Sequence, residues 1–254
     1  MCINCESNGI GRRDLMKFGA AAAIVLATAG ASPAARAGSM LLMGAESEAH
    51  AAEVATGALS PADALAALKS GNERFVTHPE LCSVDLAQSR SEVAGGQAPW
   101  ATIISCADSR VPPELIFGGH GVGELFVSRD AGNLVDTATL GTVEFGAAVL
   151  GSPLIVVLAH TACGAVKAAC DVVTKNATFP GAIGQMIEPI IPAALAVRND
   201  PGDFTNNAAK ESAKRTAGRL TAASTLIADL VNTGKVKIVA AIYDLQTGVV
   251  TYLE

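Results

Sequence analysis

Residues 153–160, PLIVVLAH, constrain the fold of this chain more than any other segment. Apolar side chains follow one another without the polar alternation that marks a strand with one face in water. Such a run predicts a strand buried on both faces, which is typical of a parallel sheet with helices on each side.

Strand and helix patterns alternate through the rest of residues 60–254. Strands are predicted at Ala98–Ser105 and Leu125–Ser128, and the closing stretches KVKIVAAIYD and GVVTYLE predict a hairpin. This order predicts an α/β fold: a mainly parallel β-sheet flanked by helices, with an antiparallel edge strand.

Helices are predicted between these strands. Ser60 as N-cap and Pro61 at the first helical position begin an amphipathic helix, whose apolar side carries Leu65, Leu68, Phe75 and Val76. TVEFGAAVLG predicts a helix that ends at Gly151, and residues 204–234 predict a long helical region. Between them, Pro180, Pro189 and Pro192 divide the chain into short helical pieces.

The charge of the chain argues against nucleic acid as a partner. Of its 254 residues, 18 are Lys or Arg and 24 are Asp or Glu, which gives a formal charge of −6 without a basic block. Half of the residues are hydrophobic, so the chain is able to bury a proper core.

The N-terminus has the pattern of an export signal. Arg12-Arg13-Asp14-Leu15-Met16-Lys17 resembles a twin-arginine signal, and Ala35-Arg36-Ala37 offers a cleavage site. We expect a signal peptide over 1–37, a linker or N-terminal arm over 38–59 and one domain over 60–254. The protein would then be periplasmic or otherwise exported, with no stable membrane insertion after signal removal. The mature chain would have 14 basic and 22 acidic residues, a formal charge of −8.

Two short motifs point to a metal centre. Cys106, Asp108 and Arg110 form C-x-D-x-R after one predicted strand, and His160 and Cys163 form H-x-x-C after another. Ligands in open α/β sheets gather at the carboxyl ends of strands, so the motifs are expected to meet. Two thiolates and one imidazole suit zinc, and three protein ligands leave one position open for catalysis. Taken singly, each residue would more simply be a buried thiol or a core histidine.

Four stretches together resemble the β-class carbonic anhydrases: CADSRVPPE, GELFVSRDAGN, HTACGAV and KVKIVAAIYDLQTGVVTYL. The resemblance implies one zinc ion per subunit on Cys106, His160 and Cys163, and reversible hydration of CO2 to bicarbonate by attack of zinc-bound hydroxide. It also implies that Asp108 accepts a hydrogen bond from that hydroxide and that Arg110 holds Asp108. Gln97 would donate to substrate oxygen. In a closed form known in the family, the aspartate breaks from the arginine and replaces water on the metal.

The resemblance further implies a homodimer or homotetramer, with the active site at a dimer interface. Two departures stand out: Asp130 where the family often has asparagine, and Ile103 where some members have the tryptophan of an inhibitory bicarbonate pocket. No proton shuttle is evident, and His120 is expected to be an exposed loop residue. Cys82 and Cys170 are either buried free thiols or a disulfide.

Two rival functions remain open from the sequence. The same scaffold could hydrolyse CS2 or COS, which share the linear apolar shape of CO2. Alternatively, the protein could be a non-catalytic zinc or redox-sensing protein in which Cys106 and Cys163 respond to oxidants.

Overall fold

The computed structural model describes residues 59–81, 90–91 and 93–253. The predicted signal peptide, most of the predicted arm and Cys82 lie outside the described residues. Cys170 is a buried free thiol. No helix within the described ranges is long and apolar enough to cross a membrane.

Five strands form one sheet in the order β2-β1-β3-β4-β5. The pairs β1–β2, β1–β3 and β3–β4 are parallel, whereas β5 runs antiparallel to β4 at the edge, as predicted. The strands are β1 (Ala101–Ser105), β2 (Leu125–Arg129), β3 (Leu154–His160), β4 (Lys237–Tyr243) and β5 (Val250–Leu253). The prediction began β1 too early, at Ala98, because Pro99 has no N–H to give to a ladder.

Helices cover both faces of the sheet. They are α1 (Pro61–Thr77), α2 (Pro113–Ile116), α3 (Thr137–Glu144), α4 (Gly164–Lys175), α5 (Ala182–Ile187), α6 (Ile191–Ala196), α7 (Phe204–Ala223) and α8 (Thr225–Asn232). All seven residues of β3 are buried, as the apolar run predicts. Leu154, Val156 and Leu158 pack on the side of α1 and α2, while Ile155 and Val157 pack on the side of α4, α7 and α8.

Helix α1 begins as predicted and buries most of the predicted side. Ser60 is its N-cap and accepts a hydrogen bond from the Asp63 N–H. Leu68 is fully buried, and Leu65 and Phe75 pack against the core, whereas Val76 is 38% exposed. The other buried residues of the helix are Ala64, Gly71 and Asn72. Gly71 lets the helix lie close to the backbone that follows α2, because a Cβ on Gly71 would lie 1.7 Å from the Phe117 carbonyl oxygen.

Two predicted helices are divided. Helix α3 continues into a π-helical turn, Phe145–Val149, and the left-handed Gly151 (φ 72°) follows the whole segment, as expected. The helical region of residues 204–234 breaks at Ser224, which ends α7 and also caps α8 by accepting from the Ile227 N–H. The Ser224 hydroxyl donates to Glu144 at 2.6 Å, and this bond ties the break to α3.

Candidate metal centre and active site

The two motifs meet at the carboxyl ends of the neighbouring strands β1 and β3. Cys106 directly follows β1, His160 is the last residue of β3, and Cys163 is the N-cap of α4. The ligand atoms of these three residues lie within 4.8 Å of one another, and all three residues are buried. The left-handed Ala162 (φ 52°) makes the tight turn between His160 and Cys163, and Asn206 accepts a hydrogen bond from its N–H at 2.9 Å.

The donor set fits zinc. His160 Nδ1 lies 2.9 Å from the Thr161 carbonyl oxygen. Because a carbonyl only accepts, Nδ1 carries the proton, and the lone pair of the neutral ring is on Nε2. That atom is buried and has no hydrogen-bond partner in the described part of the chain. Two sulfurs that each lie about 2.3 Å from a tetrahedral zinc are about 3.8 Å apart. The distance between Cys106 Sγ and Cys163 Sγ is 4.0 Å, close to that value.

The two thiols do not ionise independently. A hydrogen bond from the Cys163 thiol lowers the pKa of Cys106, and the Gly132 N–H acts in the same direction. The pKa of Cys163 is raised because its thiol donates to Cys106 and because it is buried. A dication between the sulfurs stabilises both thiolates, and a zinc site requires both cysteines in this deprotonated form.

Asp108 is held beside this cluster by Arg110. The guanidinium donates from Nε to Oδ1 at 2.9 Å and from Nη2 to Oδ2 at 2.7 Å, and the Arg110 N–H donates to Oδ1 at 3.0 Å. Arg110 thereby holds the pKa of Asp108 well below its usual range. Asp108 Oδ2 lies 3.9 Å from His160 Nε2. The aspartate–arginine pair is intact in this structure.

Comparisons with known proteins agree with this geometry. A profile of the carbonic anhydrase family matches residues 101–250. Carbonic anhydrase 2 of Mycobacterium tuberculosis is 39% identical over 193 residues, which cover 74% of this chain and 91% of that protein. Coccomyxa β-carbonic anhydrase, solved in complex with acetazolamide, is 25% identical with a TM-score of 0.58, covering 74% of this chain and 86% of that one.

The chain belongs to the β-carbonic anhydrase family. The same fold occurs in a tetrameric β-carbonic anhydrase of Sordaria macrospora, which is 23% identical with a TM-score of 0.58 and matches 64% of this chain and 84% of its own. Family membership confirms the predicted fold, the enzyme class and the dependence on zinc.

Arg129 is a site residue of this β-carbonic anhydrase whose role the sequence analysis missed. Its guanidinium donates from Nε to the Cys106 carbonyl at 3.0 Å and from Nη2 to the Asp108 carbonyl at 2.6 Å. Arg129 therefore fixes the backbone on both sides of Ala107, between a metal ligand and the carboxylate. The register Ser105↔Arg129 makes this contact possible, and no local motif reveals that register.

Gln97 does not join the other predicted site residues. It is exposed and precedes the amino end of β1, whereas Cys106 follows the carboxyl end of that strand. A five-residue strand separates these ends by about 16 Å. No hydrogen bond connects the Gln97 side chain with another described residue, so its role as a donor to substrate stays a prediction.

The departures from the family pattern have local explanations. Asp130 accepts a hydrogen bond from the Thr139 hydroxyl at 2.7 Å, so its carboxylate stabilises the start of α3. Ile103 is fully buried in the core. The expectation for His120 was wrong: its side chain is only 11% exposed, because it contacts Glu124 at 2.8 Å and packs edge-on against the Trp100 ring.

Proposed function

We propose that this chain is a zinc-dependent carbonic anhydrase that interconverts carbon dioxide and bicarbonate, with release of a proton during hydration. The observation that carries the proposal is the buried Cys106, His160 and Cys163 cluster with an arginine-clamped Asp108 beside it. A zinc store or redox sensor has no use for such a clamped carboxylate.

Each residue has a distinct task in this reaction. Cys106, His160 and Cys163 would hold the metal. When bound, zinc lowers the pKa of a coordinated water and so supplies the nucleophile for carbon dioxide near neutral pH. Asp108 remains ionised because of Arg110, so it acts only as a hydrogen-bond acceptor that orients the attacking group. Arg110 acts as a positioning residue that keeps Asp108 in place.

Replacement of Asp108 tests this assignment. We expect Asp108→Ala to retain one zinc per chain and to lose carbon dioxide hydration by about 100-fold, because the nucleophile is no longer oriented. Stopped-flow hydration assays and metal analysis measure the two effects. Asp171→Ala removes a partly exposed carboxylate on α4 that pairs with Lys167 and Lys175, and it serves as the matched control. Full activity in the Asp108 variant would contradict the proposal.

The pH dependence provides a second test. Activity is expected to rise from about pH 6 to about pH 9, because two thiolate ligands make a zinc water less acidic than neutral imidazole ligands do. Titration of Asp108 does not contribute to the pH dependence of activity in this range, because its pKa is lowered and it is ionised at every pH tested. A flat profile would count against the assignment.

Parallel assays with CS2 and COS test the rival hydrolase, and faster turnover of either would overturn carbon dioxide as the substrate.

We also propose that the active unit is at least a homodimer. Strand β2 pairs only with β1 in the described part of the chain, so its outer edge is open. Apolar side chains flank that edge: Phe145 is 46% exposed and contacts the Phe126 ring, and Val149 is 45% exposed. We call Phe126, Phe145 and Val149 the β2-edge patch. A second copy that covers this patch could bring its own Gln97 to the metal centre, which Gln97 of the same chain does not approach.

A periplasmic location follows from the twin-arginine pattern, and it remains a proposal. Fractionation of cells that express the full chain should recover a mature form in the periplasm. Mass spectrometry should show that this form begins near Ala37. Arg12→Lys together with Arg13→Lys should trap the precursor inside the cell. Export that is unchanged in this double variant would exclude a twin-arginine signal.

A further inference from the structure

A cavity of about 530 Å³ lies between α7 and the segment that leads into α3. None of the metal-centre residues lines it. One wall is apolar and the other is the polar side of α7. The apolar wall includes Leu134, Val135, Leu140, Pro189, Pro192 and Ala193.

Two hydroxyl groups on α7 line this cavity. They belong to Ser212 and Thr216, which as whole residues are 3% and 7% exposed, and no hydrogen bond joins either side chain to another described residue. Other helical threonines of this chain do form such a bond: Thr142 and Thr174 each donate to the carbonyl four residues earlier, at 2.9 Å and 2.8 Å. The hydroxyls of Ser212 and Thr216 are therefore available to a bound molecule.

The same wall has an excess of positive charge. Arg215 and Arg219 are one helical turn apart, where like charges repel. Arg215 donates through Nε to Glu211 at 2.6 Å, whereas Arg219 has no hydrogen bond or ion pair with any described residue. Asp136, the acidic group in the lining, already accepts from the Thr139 N–H at 2.8 Å. A ligand anion would relieve the repulsion between the two guanidinium groups.

We propose that this cavity binds a carboxylate with an apolar body, such as a medium-chain aliphatic acid. Its carboxylate would accept from Arg219, Arg215 and the two hydroxyls, and its body would lie against Leu134, Leu140 and the prolines. The apolar wall disfavours a small hydrated anion such as bicarbonate, and the guanidinium groups disfavour a neutral lipid. The site is independent of the metal centre and of the reaction proposed there.

Calorimetric titration of octanoate into the zinc-loaded full chain tests the proposal, with octanol as the uncharged probe. We expect saturable binding of one octanoate per chain and binding of octanol at least about tenfold weaker. Arg219→Gln and Thr216→Val should each weaken octanoate binding, the first by about tenfold or more. Arg198→Gln removes an arginine outside the cavity and is the matched control.

Carbon dioxide hydration should be the same in these three variants, because none of the residues belongs to the metal centre. Absence of octanoate binding to the wild-type chain would overturn the proposal. So would binding that Arg219→Gln and Thr216→Val leave unchanged, since the carboxylate would then sit elsewhere, for example on the zinc.

Discussion

At the scale of single residues, Gly132 matters to the metal centre although it has no side chain. Its N–H donates to Cys106 Sγ at 3.3 Å, and its φ of +85° lies in the left-handed region. A Cβ at this position would lie 2.8 Å from Ile190 Cδ1 and 3.3 Å from the Ala165 Cβ. Backbone strain and close packing together require glycine beside this thiolate.

We expect Gly132→Ala to lower the free energy of unfolding by about 2–4 kcal/mol, from left-handed strain and overpacking together. Zinc affinity should fall with it, because the N–H that faces Cys106 must move. Chemical denaturation and competition with a chelator measure the two losses. Gly151→Ala is the matched control: φ is +72° there, but a Cβ would meet open space. Equal losses in the two variants would show that packing against Ile190 contributes nothing.

At the scale of elements, Asn72 joins α1 to the rest of the domain. Its Nδ2 donates to the carbonyls of Ile116 and Gly248 at 3.0 Å and 2.8 Å, and its Oδ1 accepts from the Val250 N–H at 2.8 Å. One buried side chain thereby satisfies backbone groups at the end of α2 and in the hairpin between β4 and β5. Helix α1 is thus bound to two elements far away in sequence.

Asn72→Ala should cost about 2–4 kcal/mol of unfolding free energy, because three buried backbone groups lose their partner. Asn207→Ala removes one exposed hydrogen bond, from Nδ2 to the Pro201 carbonyl, and should cost less than about 1 kcal/mol. Thermal and urea unfolding of the two variants give the comparison. A difference within error would show that α1 is held by its apolar contacts alone.

Local patterns predicted the elements better than they predicted what joins them. The run at β3, the N-cap Ser60 and the two metal-ligand motifs are short-range signals, and each was located correctly. The break at Ser224 was missed because its cause is partly a contact with Glu144, 80 residues away. Arg129 and Gly132 were missed as site residues for the same reason: their contacts with Cys106 depend on strand register and on the turn after β2.

At the scale of the whole molecule, the β2-edge patch is where the proposed dimer can be tested. Phe145→Glu should convert the assembled protein into monomers, because it places a charge on an apolar surface beside an open strand. The monomer should keep its zinc but lose activity, if Gln97 acts from a second copy. Sedimentation and hydration assays report the two effects. Leu195→Glu, on α6 and 54% exposed, is the control. A fully active monomer would refute the role of Gln97 across the interface.

The position of β3 makes one part of the metal site more rigid than the other. His160 ends the central strand, which is buried along its whole length, whereas Asp108 and Arg110 lie on an exposed turn after β1. Backbone amides of β3 should exchange with solvent only through global opening, while those of the turn exchange through local fluctuations. The sheet thus provides a fixed point of reference for the metal, and the turn is the adjustable part. Substitutions beside Asp108 and Arg110 on this turn are expected to change the reaction rate, whereas substitutions in the ligand strands are expected to change stability and metal binding.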